Sequence, residues 1–189
     1  MEIVHIFSPK NDPYEGLWAV KYEEAEVNEF ENIFEVWQDP EIMYQFCIDN
    51  LEDIRTKFGY RISPETAANE LMEEAEDLQQ LIYKLGKKQM PGTNLQLVFK
   101  PLHNYETNLT VLQLSKGIVK NRSIKNPKLR IYAVRVAENT YIVTGGAIKL
   151  TDLMDDRPHT KEQRLRLMTV KDWLKREGIS YPEDLNNLL

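Results

Sequence analysis

The residues of this 189-residue chain that could do chemistry gather between Lys116 and Lys149. Lys116, Lys120, Arg122, Lys125, Lys128 and Arg130 follow one another with no acidic residue among them, and Tyr132 and Lys149 come soon after. Such a grouping suits a phosphate ester: an ammonium offers a point charge, and a guanidinium can hold two oxygens at once. A tyrosine adds a ring on which a base can stack and a hydroxyl that can give up a proton. Other chemistry is poorly represented. His5, His103 and His159 stand apart, without the spacing of zinc ligands, so no metal or cofactor is expected. Gly145-Gly146 lacks the spacing and the following Lys-Ser pair of a phosphate loop.

These residues need a scaffold, and Lys128 to Thr151 (KLRIYAVRVAENTYIVTGGAIKLT) reads as a β-hairpin turning at Glu138-Asn139. Regular pairing about that turn sets Ala137 against Thr140, Val136 against Tyr141, Val134 against Val143, Tyr132 against Gly145 and Arg130 against Ala147. Alternation then predicts a core face of Leu129, Ile131, Ala133, Ile142 and Ile148. The opposite face carries Val134, Val136, Tyr141 and Val143 near the turn, then Tyr132, Arg130, Lys128 and Lys149 at the open end. Gly145 and Ala147 are small, so the expectation is an uncrowded cationic end able to take an anion. Between Lys116 and Lys128, Gly117, Asn121 and Asn126-Pro127 mark a loop that is either a solvated surface or an RNA-phosphate footprint.

The remaining chain supplies an α+β frame. Ile3 to Phe7 and Leu17 to Glu23 read as strands, and Val27, Phe30, Ile33, Phe34 and Trp37 follow helical spacing. Asp39-Pro40 opens a further helix expected to run to Gly59, with Cys47 inside its apolar face as a structural thiol. Ser63-Pro64 starts the next helix, which Gly86 closes. Leu71, Ala75, Leu78, Ile82 and Leu85 form its inner stripe, and Glu70, Glu73, Glu74 and Asp77 form an acidic one, either solvated or facing the basic half. After the loop Lys87 to Asn94, strands are expected at Leu95–Leu102 and Leu109–Leu114. A last helix should begin at a Thr160-x-x-Gln163 capping box, with Leu165, Met168 and Trp173 inward and Lys161, Arg164, Lys171 and Lys175 outward. Residues 179–189 read as a loose tail.

Charge divides the chain. Residues 1–90 hold 20 Asp/Glu against 8 Lys/Arg, and residues 91–189 hold 10 against 16, so a half at −12 precedes a half at +6. That asymmetry points to a polyanion, to an acidic partner, or to two halves that attract each other. One domain spanning 1–189 can bury an adequate core. Without a signal-like start, a membrane-length apolar run or a second cysteine to pair with Cys47, a cytoplasmic protein without membrane association is expected.

Four segments carry a resemblance: Phe99-Lys100-Pro101-Leu102, Leu112-Gln113-Leu114, Leu129-Arg130-Ile131-Tyr132, and Val143-Thr144-Gly145-Gly146 with Lys149 and Pro158. In this order, over about residues 99–170, they resemble the RelE/ParE toxin superfamily, and most nearly its phage-derived HigB-like branch. The resemblance implies a RelE-like antiparallel sheet packed against helices, here with an enlarged N-terminal helical block. It further implies a metal-independent toxin-type ribonuclease, acting on messenger RNA at the ribosome by 2′-hydroxyl attack and held in check by an antitoxin protein. Arg130 would stabilise the transition-state charge, Lys149 would match the first of a basic pair, and Tyr132 would stack on a base or donate a proton. The family pattern has a glutamate and an arginine where this chain has Gln113 and Ser115. It also has a bulky apolar residue near Ala147 and a second basic residue at Leu150. A non-catalytic relative binding RNA or an acidic protein, and a ParE-like gyrase inhibitor, are the other readings the resemblance allows.

Overall fold

The computed structural model describes all residues except 10–11, 104–109, 120–125, 152–156 and 189, and for 186–188 the backbone alone. Strands β1 (Glu2–Phe7) and β2 (Gly16–Lys21) precede four helices, α1 (Glu29–Gln38), α2 (Pro40–Asp49), α3 (Leu51–Phe58) and α4 (Pro64–Gly86). Strands β3 (Phe99–Pro101), β4 (Gln113–Gly117), β5 (Leu129–Ala137) and β6 (Thr140–Ile148) follow, then helix α5 (Pro158–Arg176). All six strands join one sheet in the order β1-β2-β6-β5-β4-β3. The α+β class is as the sequence indicates. The sheet is mixed, however, because β2 pairs with β6 in parallel while every other pairing is antiparallel. The sheet thereby draws strands from both the acidic and the basic half.

Its two faces are covered by different helices. Phe30, Trp37, Leu71 and Leu78 from α1 and α4 pack with Leu129, Ile131 and Ala133 of β5 on one side. Leu167, Val170 and Leu174 of α5 pack with Tyr132, Val134 and Val136 on the other. Local chemistry sets the helix starts. Asn28 caps α1 by accepting from the amides of Phe30 and Glu31, Asp39 caps α2 in the same way, and Pro40 and Pro64 occupy first turns where their missing N–H costs nothing.

Several boundaries differ from the sequence expectation. The helix after Pro40 breaks at Asn50, whose side-chain amide donates to the Phe46 carbonyl at 2.9 Å. A 3₁₀ turn, Leu95–Leu97, takes the start of the predicted 95–102 strand, and β4 starts later than expected, at Gln113. No capping box opens α5: Arg157 is its N-cap, and the Thr160 hydroxyl donates to the Arg157 carbonyl. The tail is not loose, since Ile179 and Leu185 are buried against the α5 face of the sheet. On α5 itself the inward stripe is Leu167, Val170 and Leu174, which leaves Leu165 at 52% and Met168 at 44% exposure. The loop after α4 is stitched down by a 2.7 Å Lys88–Glu15 ion pair and by the Leu95 amide donating to Asn139 Oδ1.

Candidate functional site

The β5–β6 hairpin turns where expected, and Tyr132 faces Gly145 and Arg130 faces Ala147, as regular pairing predicts. Between those pairs and the turn the ladder contains two irregularities. Ala133 opposes Val143 and Arg135 opposes Tyr141, so Thr144 on β6 and Val136 on β5 are extra residues without a partner. An extra residue inverts the alternation beyond it. Tyr141 and Val143 consequently join the core under α1–α4, and Ile142 crosses to the α5 side, the reverse of the sequence expectation. Thr144 is stabilised by donating its hydroxyl to the Tyr132 carbonyl, and its own carbonyl accepts from the Tyr22 hydroxyl at 2.8 Å.

The open end of the hairpin is ordered by a residue of α4. Glu74 is 3% exposed, and its carboxylate accepts the Lys128 amide at 2.8 and 3.0 Å and the Leu129 amide at 2.7 Å. It does not belong to a solvated acidic stripe. Burial pushes its proton affinity up, and these amides, with Lys128 and Arg130, pull the other way. The helical wheel contained the signal, because Glu74 lies four residues before Leu78 and three after Leu71, at the margin of the inner stripe. The clamp fixes the residues ahead of Arg130. Arg130 Nη1 donates to the carbonyls of Pro127 at 2.9 Å and Leu129 at 2.7 Å, which holds the guanidinium at the end of the strand, half-buried. The Lys149 amide donates to the Lys128 carbonyl at 2.7 Å, extending the ladder past β6.

The predicted site residues are not all gathered there. Opposed positions of an antiparallel ladder share a face, so Arg130, Tyr132 and Lys116 lie on the α5 side, Lys116 opposing Tyr132. Lys116 Nζ donates to the Leu102 carbonyl at 2.9 Å. Lys128 goes elsewhere: its ammonium sits 4.0 Å above the Phe58 ring, at the end of α3. Lys149 is half-buried one residue past β6. Lys120, Arg122 and Lys125 lie outside the described residues.

The space expected above Gly145 is filled. A Cβ on Gly145 would overlap Gln163 Oε1 of α5, and Ala147 is 5% exposed. Tyr132 beside it is 1% exposed, and among the described residues its hydroxyl meets no hydrogen-bond partner. Burial pushes that hydroxyl up to about 12, with Arg130 opposing the shift. Gln113 and Ser115 are buried on β4, and Leu150 is 3% exposed within the core beneath α1–α4. The arrangement can hold an oxyanion at its rim but keeps the tyrosine dry.

Elsewhere, no three His, Cys, Asp or Glu side chains among the described residues converge as metal ligands, and no described helix is long and apolar enough to cross a membrane. Cys47 is buried, and burial pushes its thiol up to about 11, which suits a packing role. The two halves do meet through charge: Arg157 grips Asp53 with two 2.7 Å hydrogen bonds, and Arg166 lies 3.7 Å from Glu29. Comparison with protein-family models, with curated proteins and with solved structures finds no match to this chain.

Proposed function

We propose that this chain is a RelE-like, non-catalytic RNA-binding protein that takes the phosphate backbone at the open end of its β5–β6 hairpin. The observation that carries the reading is the anchoring of Arg130. One nitrogen of its guanidinium is tied to two backbone carbonyls, so the fork is already oriented, and Nε and Nη2 have no hydrogen-bond partner among the described residues. A preoriented fork loses less rotational freedom on binding than a free one, and a bidentate contact favours phosphate over chloride. Lys116 and Lys149 add positive charge nearby in the ladder. The element order, two strands, four helices, four strands and a helix, is compatible with a RelE-like layout carrying an enlarged helical block, although the sheet is mixed rather than antiparallel.

The non-catalytic half of the proposal rests on solvent access. A buried hydroxyl cannot reach a leaving oxygen, and the positions where the family pattern has a glutamate, an arginine and a second basic residue are the buried Gln113, Ser115 and Leu150. The test is fluorescence anisotropy with an end-labelled single-stranded RNA across a salt series, with the same samples run on a denaturing gel. Affinity should fall with salt, the logarithmic slope being roughly −0.7 for each phosphate contact. Arg130→Ala should lose affinity and flatten that slope, and Arg130→Lys should recover little of it. Absence of binding at low salt would end the RNA reading. Binding with cleavage to cyclic-phosphate ends would return the chain to the toxin-type ribonuclease and its antitoxin. Binding by Arg130→Ala equal to the parent would move the contact away from this site.

A further inference from the structure

We infer that the chain associates with further copies of itself head to tail, the outer stripe of α5 from one copy seating in the groove between α2 and α4 of the next. The groove comprises two adjoining depressions that share Asn69 and Met72, one of about 490 Å³ between α2 and α4 and one of about 540 Å³ that continues along α4 beside Gln38 at the end of α1. Its lining includes the apolar Tyr44 and Met72 and the acidic Glu41, Glu65, Glu73 and Glu76, and among the described residues no lysine or arginine lines it. Tyr44 is 45% exposed there, a large aromatic left in water on a face of acidic residues. A basic, partly apolar helix is the chemistry that complements such a surface.

The same chain carries one on the opposite face of the sheet. Lys161, Leu165, Met168 and Lys175 recur on α5 at i, i+4, i+7 and i+14, and Leu165 and Met168 are the large apolar side chains this helix leaves exposed. Lys171 flanks them. Asp172 also falls on this stripe, pairs with Lys175 at 3.9 Å, and leaves the stripe basic. The lengths agree: Glu65 to Gln80 on α4 spans about 22 Å and Lys161 to Lys175 about 21 Å at 1.5 Å per residue. Because α5 and the α2–α4 groove lie on opposite faces of one sheet, a copy cannot fill its own groove, and the contact is heterologous. It builds rings or open chains rather than a two-fold pair. The inference is independent of RNA binding, which uses the hairpin end.

The test is sedimentation velocity over a concentration series at about 0.01 M ionic strength, where the screening length is ~30 Å. The weight-average sedimentation coefficient should rise with concentration and fall back when salt is raised. Met168→Glu on α5 and, separately, Glu73→Lys with Glu76→Lys on α4 should each keep the protein monomeric, all three sites being exposed enough to leave the fold intact by circular dichroism. A charge-swapped helix, Lys161→Glu with Lys171→Glu, should also be monomeric alone yet associate when mixed with the Glu73→Lys, Glu76→Lys protein. A coefficient flat with concentration at low salt overturns the inference. So does association that survives both sets of substitutions, or failure of the two charge-swapped proteins to combine.

Discussion

Glu74 and Leu129 stand 55 residues apart in the chain, and Oε1 of the first accepts the amide of the second at 2.7 Å. This buried carboxylate joins the longest helix to the first residue of β5 and holds the Lys128 amide as well. The acidic and basic halves are therefore connected at the point from which Arg130 is oriented.

Removing that carboxylate should be expensive. Glu74→Ala strands two amides, one of them at a fully buried residue, at roughly 1–3 kcal/mol for each left unpaired. Glu74→Gln retains an accepting oxygen and discards the buried charge, so it should be the milder change. The pH dependence separates them further. Folding raises the proton affinity of Glu74 above its ordinary value of 4.5, so the folded state holds a proton that the unfolded chain has released. The contribution of this residue to stability must then fall as pH rises from about 4.5 through the folded-state value. Urea denaturation of the parent and Glu74→Gln across that window should show the parent losing stability relative to the variant. A difference that is flat, or that grows with pH, would mean that the hydrogen bonds outweigh burial.

Gly146 supports α1 at close range. A Cβ there would lie 2.9 Å from two atoms of the Trp37 indole and 3.1 Å from Ile33 Cγ2, all parts of rigid side chains. Gly146→Ala should cost on the order of 1–3 kcal/mol through overpacking. Combined with Trp37→Phe, which shortens the ring, the cost should be smaller than the sum of the two single changes. Thermal melts of the four proteins in this cycle supply the measurement, and strict additivity would show that Trp37 is not what the new methyl meets.

Much of this frame can be read from the residues, because the hydrophobic periods of α1 and α4, the prolines at helix starts and the turn at Glu138-Asn139 are local signals. The failures come from events outside the local window. A single extra residue at Thr144 exchanges Tyr141 and Val143 with Ile142, and composition does not announce a bulge. The room inferred at Gly145 assumed nothing above it, whereas Gln163 arrives from α5, eighteen residues later. For Glu74 the acidic stripe allows a solvated face or one turned to the basic half, and its helical phase beside Leu78 decides for the second. Hydrophobicity alone points Leu165 and Met168 inward, whereas Leu167, Val170 and Leu174 take that face.

Cys47 offers a probe of the fold on the α2 side. It is 0% exposed, and its thiol is pushed up to about 11, so almost none is thiolate at neutral pH. A thiol reagent at pH 7 should label it only as fast as the protein opens, and denaturant should bring the reaction to the rate of a free cysteine. Immediate stoichiometric labelling of the native protein would show that α2, which carries it, does not stay packed against the core.

Tyr132 separates a dry core residue from a working one. Its hydroxyl is buried opposite Gly145, without a hydrogen-bond partner among the described residues, in a core that also holds Leu167 and Val170. An unpaired buried hydroxyl destabilises the fold that contains it, so Tyr132→Phe should leave stability unchanged or raise it by about 1 kcal/mol. At neutral pH a group pushed up to about 12 remains protonated, which removes it as a base, and its burial removes it as a surface for stacking. Tyr132→Phe should therefore bind RNA like the parent, while Arg130→Ala does not. If Tyr132→Phe instead loses binding at unchanged stability, the tyrosine reaches the ligand, and α5 must move from the sheet for it to do so.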